Sequence, residues 1–403
     1  MAYQPSQRIL EKYADLLVNF ALGGEKGIKK GDYVYANTPL SALPLYRAIR
    51  KAIFEAGGHM IGGLADDMDG FSKYFYEHAT PEQLKTLPGH YFKGLTAQID
   101  HRLAVISEYD VHELDAIDKT KIIEVQKSMK PVVAMMDKKE NRGKLTWTVG
   151  LYGTQSLAKE AGLSLEAYWG EIIRGCYLDK ANPIEEWRKI TKETGRVAKK
   201  LSALKIDKVH VEGKDVDLWV KIGQNRRWVA GGGRNVPSYE VFTSPDWRGT
   251  EGWIRFNQPN FFYGPRIENI ELSFEKGRVV KATASAHQKM LEAMLSADEG
   301  ARQIGEFSLT DKRLSRITKF MAETLFDENM GGPFGNTHIA VGRAYLETYV
   351  GGASKLSKVQ QRRLGFNESN IHVDFVSTTD RTVTALLANG RKKVIYKNGQ
   401  FTI

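Results

Sequence analysis

Near residue 205 the pattern of this chain changes, and the change bounds what it can fold into. Upstream, helical periodicities alternate with short apolar runs. Ile9, Leu10, Tyr13, Leu16, Leu17 and Phe20 are spaced for a helix over residues 7–22, and Tyr33–Ala36 then reads as a buried strand. A helix over Leu43–Phe54, with Pro44 in its first turn, ends at Gly57-Gly58, and extended structure resumes at His59. Further apolar runs at Leu103–Ile106, Val132–Met135 and Leu145–Val149 are expected to be strands between helices. That alternation predicts a mostly parallel sheet with crossover helices. Long helices are expected over Leu165–Leu178 and Pro183–Leu204.

Downstream, Val216–Ile222 shows partial polar and apolar alternation, as in a half-buried antiparallel strand. Glu275-Lys276-Gly277-Arg278, Ala388-Asn389-Gly390-Arg391 and Lys397-Asn398-Gly399-Gln400 read as hairpin turns. The fold class is therefore α/β: an N-terminal α/β domain over residues 1–202 with a mostly parallel sheet, followed by an α+β domain over 203–403. A length of 403 residues fits two domains.

The second half also carries ionisable residues where apolar ones are expected. Glu240 sits in Tyr239-Glu240-Val241-Phe242, Glu306 in Ile304-Gly305-Glu306-Phe307, and Glu328 follows Leu325-Phe326-Asp327. His338 opens the apolar run His338–Gly342, and His372 and Asp374 flank Val373. A charged side chain among apolar neighbours is costly unless paired or metal-bound. His372 and Asp374 are two apart, so on a strand both reach one face and one ion. Taken singly, each is equally readable as an ion pair, an edge acid or a core histidine. Four carboxylates and two histidines together form a ligand list for two metal ions.

Other signatures are missing. There is no phosphate-binding Gly-x-x-x-x-Gly-Lys-Ser/Thr loop, no Gly-x-Ser-x-Gly elbow and no His-Glu-x-x-His helix. Gly231-Gly232-Gly233 fails the dinucleotide fingerprint and reads as a turn or a close backbone approach. Net charge is +10, but the lysines and arginines are dispersed and no nucleic-acid-reading module is present, so no nucleic-acid partner is expected. No membrane span is expected, and a single cysteine, Cys176, fits a reducing cytoplasm.

Five segments carry a family resemblance: Gly233–Pro245, Arg302–Phe307, Asp327-Glu328-Asn329, His338–Gly342 with Tyr345, and His372-Val373-Asp374. Together they resemble the aminopeptidase T family of dinuclear metallo-aminopeptidases, also called the thermophilic metalloprotease family. The resemblance implies metal ligation by Glu240, Glu306, Glu328, His338, His372 and Asp374, with Tyr345 as the catalytic tyrosine. It implies two divalent ions (zinc, cobalt or manganese, with magnesium a further candidate) and no organic cofactor. A metal-bridged water or hydroxide would attack the first peptide bond of short peptides with free N-termini. Glu306 would move the proton, and Tyr345 would stabilise the oxyanion. The first domain would shape the substrate cavity, and the assembly would be a homodimer. Two features depart from the family pattern: Tyr239 stands where many relatives have glycine, and Met330–Thr337 lengthens the connection between Glu328 and His338. Two rival readings are a binding protein that has lost catalysis and a dinuclear hydrolase of phosphoesters or non-peptide amides.

Overall fold

The computed structural model describes residues 3–261 and 266–403. Its contacts divide the chain into two compact units: residues up to Glu185 with Gly232–Pro237, and Glu186–Gly231 with Ser238–Ile403.

The first unit is built on a five-stranded parallel sheet. Its strands are β1 (Tyr33–Pro39), β2 (His59–Ala65), β3 (His101–Ile106), β4 (Thr146–Leu151) and the short β5 (Asn235–Val236), in the spatial order β2-β1-β3-β4-β5. Helix α1 (Gln7–Leu16) is started by Ser6, whose hydroxyl accepts the Ile9 N–H, and it continues as a π-turn over Leu17–Ala21. Helix α2 (Leu43–Glu55) takes Pro44 in its first turn, where no intrahelical N–H is needed. Gly231, Gly232 and Gly233 all have positive φ. A Cβ on Gly233 would lie 2.0 Å from the Ala21 carbonyl oxygen, so the last glycine of the triplet is a close backbone approach.

One expectation is overturned. Val132–Met135 is not a strand but lies inside the helix α3 (Lys119–Glu140), with Pro131 in its interior. Val132 is buried and Val133 is exposed, so a short apolar run here supplied one inward residue per turn. Helices α4 (Leu165–Gly175) and α5 (Pro183–Ala203) follow the expected spans closely.

The second unit packs two antiparallel sheets around one apolar core. The larger has eight strands, in the spatial order Arg278–Thr283, Glu271–Glu275, Glu251–Arg255, Val216–Lys221, Ile206–Gly213, Arg381–Leu387, Lys392–Lys397 and Gln400–Phe401. All three expected hairpin turns join neighbouring strands of this sheet. The smaller sheet consists of β6 (Glu240–Thr243), β7 (Ile304–Thr310), β8 (Asn336–Gly342), β9 (His372–Ser377) and the two-residue strand Val229–Ala230, in the order β9-β8-β7-β6-(229–230). Val241, Phe307, Leu309, Ile339, Val341 and Phe375 from this sheet share a core with Val209, Val211, Leu218 and Val383 of the larger one. No helix among the described residues is long and apolar enough to cross a membrane.

Candidate metal centre

Strand alternation sorts the small sheet into two faces. From Glu306 onward on β7, and along β6, β8 and β9, the apolar odd-numbered residues Val241, Phe307, Leu309, Ile339, Val341 and Phe375 enter the core just described. The even-numbered ones point the other way. Cross-strand pairing aligns them in rows. Phe242, Ser308, His338 and Val376 form one row, and Glu306, Ala340 and Asp374 the next. Gly342 pairs with His372 in the row beyond, and Glu240 pairs with Thr310 in the row before. Glu240, Glu306, His338, His372 and Asp374 therefore share one face of one sheet.

Glu306 shares that face with Ser308 by plain alternation, and just before it the ladder slips. Register shifts between Ile304 and Glu306, which is a β-bulge at Gly305. Without it, Ile304 and Glu306 would point the same way. With it, Ile304 enters the core while Glu306 stays on the opposite side. A Cβ on Gly305 would lie 2.5 Å from the Gly342 carbonyl oxygen and 2.6 Å from that of Arg343, so the bulge admits no side chain.

Glu328 comes from outside the sheet, at the end of the short helix α6 (Thr324–Asp327). Its neighbour Asp327 is turned away and accepts the Met321 and Glu323 N–H groups at 2.7 and 3.0 Å.

Two overlapping clusters result, Glu240–Glu306–His338 and Glu328–His338–Asp374, each with ligand-capable atoms within 4.8 Å of one another. His338 Nε2 is 3.3 Å from both Glu240 and Glu306. His372 Nε2 is 3.6 Å from both Glu306 and Asp374. The His372 Nδ1–H donates to the Arg343 carbonyl at 2.7 Å, which fixes the tautomer and leaves Nε2 for a ligand role. Glu240 is held by the hydroxyls of Ser238 and Ser308, at 3.3 and 3.2 Å.

The buried carboxylates and imidazoles perturb one another strongly. Burial, reinforced by Glu240 and Asp374, pushes Glu306 up to about 7. Burial, with Asp374, Glu240 and Glu306 nearby, holds Glu328 well above the carboxylate range. Burial disfavours both imidazolium forms, yet the surrounding carboxylates outweigh it. They raise His338 well above its ordinary value and His372 to about 9. Asp374 is kept low against its burial by His372 and His338. Four buried carboxylates against two imidazoles is a donor set that cations would neutralise. His338 Nδ1 is buried and has no hydrogen-bond partner among the described residues. The residues thus fit divalent ions, both in donor chemistry and in this orphaned polar atom.

Tyr345 follows β8 in a loop at the rim of the same face. Its ring lies 4.7 Å from that of His372 and 5.9 Å edge-on from Phe242, and its N–H donates to the Ser244 hydroxyl at 2.8 Å. Burial, followed by Glu306 and Asp374, raises its phenol well above the ordinary value, so the hydroxyl keeps its proton. All seven residues singled out in the sequence are thus brought to one region. Ser238, Ser308 and the Arg343 carbonyl were missed. Only Ser308 carried a sequence signal, lying two residues beyond Glu306 on the same strand face.

A sheet face of buried carboxylates and imidazoles, backed by an apolar core, is the framework of a metal-dependent hydrolase. The chain belongs to the thermophilic metalloprotease family (M29), whose model matches residues 6–401, and is a hydrolase of peptide bonds. It is 27% identical to Aminopeptidase AmpS of Bacillus subtilis, over 97% of this chain and 98% of that protein. It is likewise 27% identical to Aminopeptidase T of Thermus thermophilus, over 98% of this chain and 99% of that protein. The solved structure of wild-type AmpT from Thermus thermophilus superposes with a TM-score of 0.84 at 25% identity, covering 98% of this chain and all of that one.

Proposed function

We propose that this metallo-aminopeptidase removes residues one at a time from the free N-terminus of short peptides, using two divalent ions held by Glu240, Glu306, Glu328, His338, His372 and Asp374. The observation that carries the reading is the pair of overlapping clusters that share His338 on one sheet face. Six donors are more than one tetrahedral site takes. Zinc, cobalt or manganese suits this mixture of carboxylate and imidazole, with magnesium a further candidate. Such ions would polarise the scissile carbonyl and bring a water's pKa toward neutrality.

The chain's own residues supply the rest. The Glu306 carboxylate lies between the two imidazoles, 3.3 Å from His338 Nε2 and 3.6 Å from His372 Nε2. From there it can take the proton of the attacking water and hand it to the leaving amine. Tyr345 keeps its phenolic proton and donates it as a hydrogen bond to the tetrahedral oxyanion. A free, neutral α-amine would offer a nitrogen donor to one of the ions, which a blocked amide nitrogen would not, and this favours a free N-terminus over an acetylated one. Family resemblance supports a homodimer, and the single cysteine supports a cytoplasmic setting.

The test is a matched pair of peptides, one with a free N-terminus and one N-acetylated, followed by mass spectrometry. The free peptide should shorten by single residues from that end, and the acetylated one should persist. Equal cleavage of both, or early internal fragments, would refute the exopeptidase reading while leaving the metal site standing.

A further inference from the structure

Asn329 is fully buried, yet it makes no contact that the proposed chemistry requires. Its side-chain oxygen accepts the Tyr239 N–H at 2.6 Å, one residue before Glu240. Its side-chain nitrogen donates to the Leu325 carbonyl at 3.1 Å and, at 3.4 Å, to a carboxylate oxygen of Glu328. The orientation of the amide is unambiguous, because Tyr239 N–H can only donate and the Leu325 carbonyl can only accept. Its own carbonyl accepts the Ser315 hydroxyl at 2.5 Å, which anchors the loop from the other side.

One amide therefore joins the start of β6 to the end of α6. Glu240 belongs to one cluster and Glu328 to the other. Strand pairing aligns Glu240 but cannot set its position relative to Glu328, which lies off the sheet. On β8 a parallel device appears, with Asn336 donating to the Asp327 carbonyl at 2.8 Å. That bond ties α6 to the row of Asn336, Thr310 and Glu240, and Asn329 adds a link made directly at Tyr239 and Glu328.

We infer that Asn329 is a positioning residue that sets the distance between Glu240 and Glu328 and thereby couples the two donor clusters. The inference rests on reading those clusters as a metal site. Asn329→Ala removes both ends of the bridge. Asn329→Asp keeps an acceptor for the Tyr239 N–H but loses the donor and adds a negative charge beside Glu328. A general structural role predicts lower stability alone. A positioning role predicts in addition a weaker hold on the ions.

Zinc and cobalt affinities of the full-length protein are measured by competition with a chromophoric chelator, with thermal unfolding of the metal-free protein in parallel. Leu291→Ala serves as the control. Leu291 is fully buried in the core of the same unit, in the helix Gln288–Leu295, which packs on the strand Arg278–Thr283 of the larger sheet and carries none of the donors. It should unfold at a lower temperature while binding metal as the unaltered chain does. Both Asn329 variants should lose affinity for at least one ion by about 10–100-fold, the range for removing a partner that orients a ligand. If Asn329→Ala does not fold, Asn329→Asp carries the same comparison. Affinities equal to wild type in the variant that folds, or losses no larger than those of Leu291→Ala, overturn the inference. A wild-type chain that binds neither ion overturns the metal reading and this inference with it, and that failure is visible before any variant is made.

Discussion

Ala340 offers a sharp test of where the ions sit. It pairs with Glu306 on one side and Asp374 on the other, and it is fully buried. Adjacent strands lie about 4.8 Å apart, so the two carboxylate-bearing backbones stand roughly 10 Å from one another with only a methyl group between them. Ala340→Val adds two methyl groups to that gap. Overpacking of this size costs about 1–3 kcal/mol of stability. Pushing Glu306 or Asp374 aside by about 1 Å is enough to lower turnover by ~10²-fold. The comparison is Ile339→Val, one residue away and buried on the opposite face, which should cost about 0.5–1.5 kcal/mol and leave the site alone. Each protein would be stripped with chelator, reloaded with cobalt or zinc, and assayed for bound metal, denaturant midpoint and hydrolysis of a leucyl substrate with a free amine. The expected outcome is a dissociation: Ala340→Val loses metal or turnover, whereas Ile339→Val loses only stability. Full metal content and normal turnover in Ala340→Val would refute the claim that the gap between Glu306 and Asp374 is used.

Tyr345→Phe should retain its metal and lose turnover by about 10²–10³-fold; unchanged turnover would reduce Tyr345 to a packing residue beside His372. His372→Ala should lower metal content as well as activity, and retention of the full complement would remove it from the ligand set. Metal uptake should release protons, because His372 at about 9 and Glu306 at about 7 both hold protons that a cation must displace. Raising the pH removes those protons first, so affinity should climb from pH 6 and level off above pH ~9, by about tenfold per unit for each proton displaced. Calorimetry in buffers of different ionisation enthalpy measures the release, and no release at pH 6.5 would contradict the picture.

The candidate site was legible residue by residue and illegible as an arrangement. His372 and Asp374 could be paired from the sequence because a period of two is local to one strand. Glu240, Glu306 and His338 stood out because each interrupts an apolar run. Their common face could not be read, because it depends on which strands are neighbours and in what register; the slip at Gly305, which sends Ile304 to the core side, was equally hidden. Asn329 carried no signal beyond its place after Glu328, since its partner Tyr239 lies 90 positions away. In the first unit, Val132–Met135 misled because four apolar residues suit a strand or one turn of a helix equally well. There the helix extends over 22 residues, and of the run only Val132 is buried.

The two-faced small sheet also bears on how such a chain can change over generations. Substitutions on either face can accumulate one at a time, but a single inserted or deleted residue within β7, β8 or β9 would exchange the faces beyond it. Donors would then enter the core and core residues would enter the donor face. Folding and chemistry would fail together, leaving no partly working ancestor for selection to repair. The bulge at Gly305 marks the one position in these ladders where the count already differs between neighbours. Length variation among relatives is therefore expected in segments such as Met330–Gly335, and the strands themselves should keep their residue count while their identities drift.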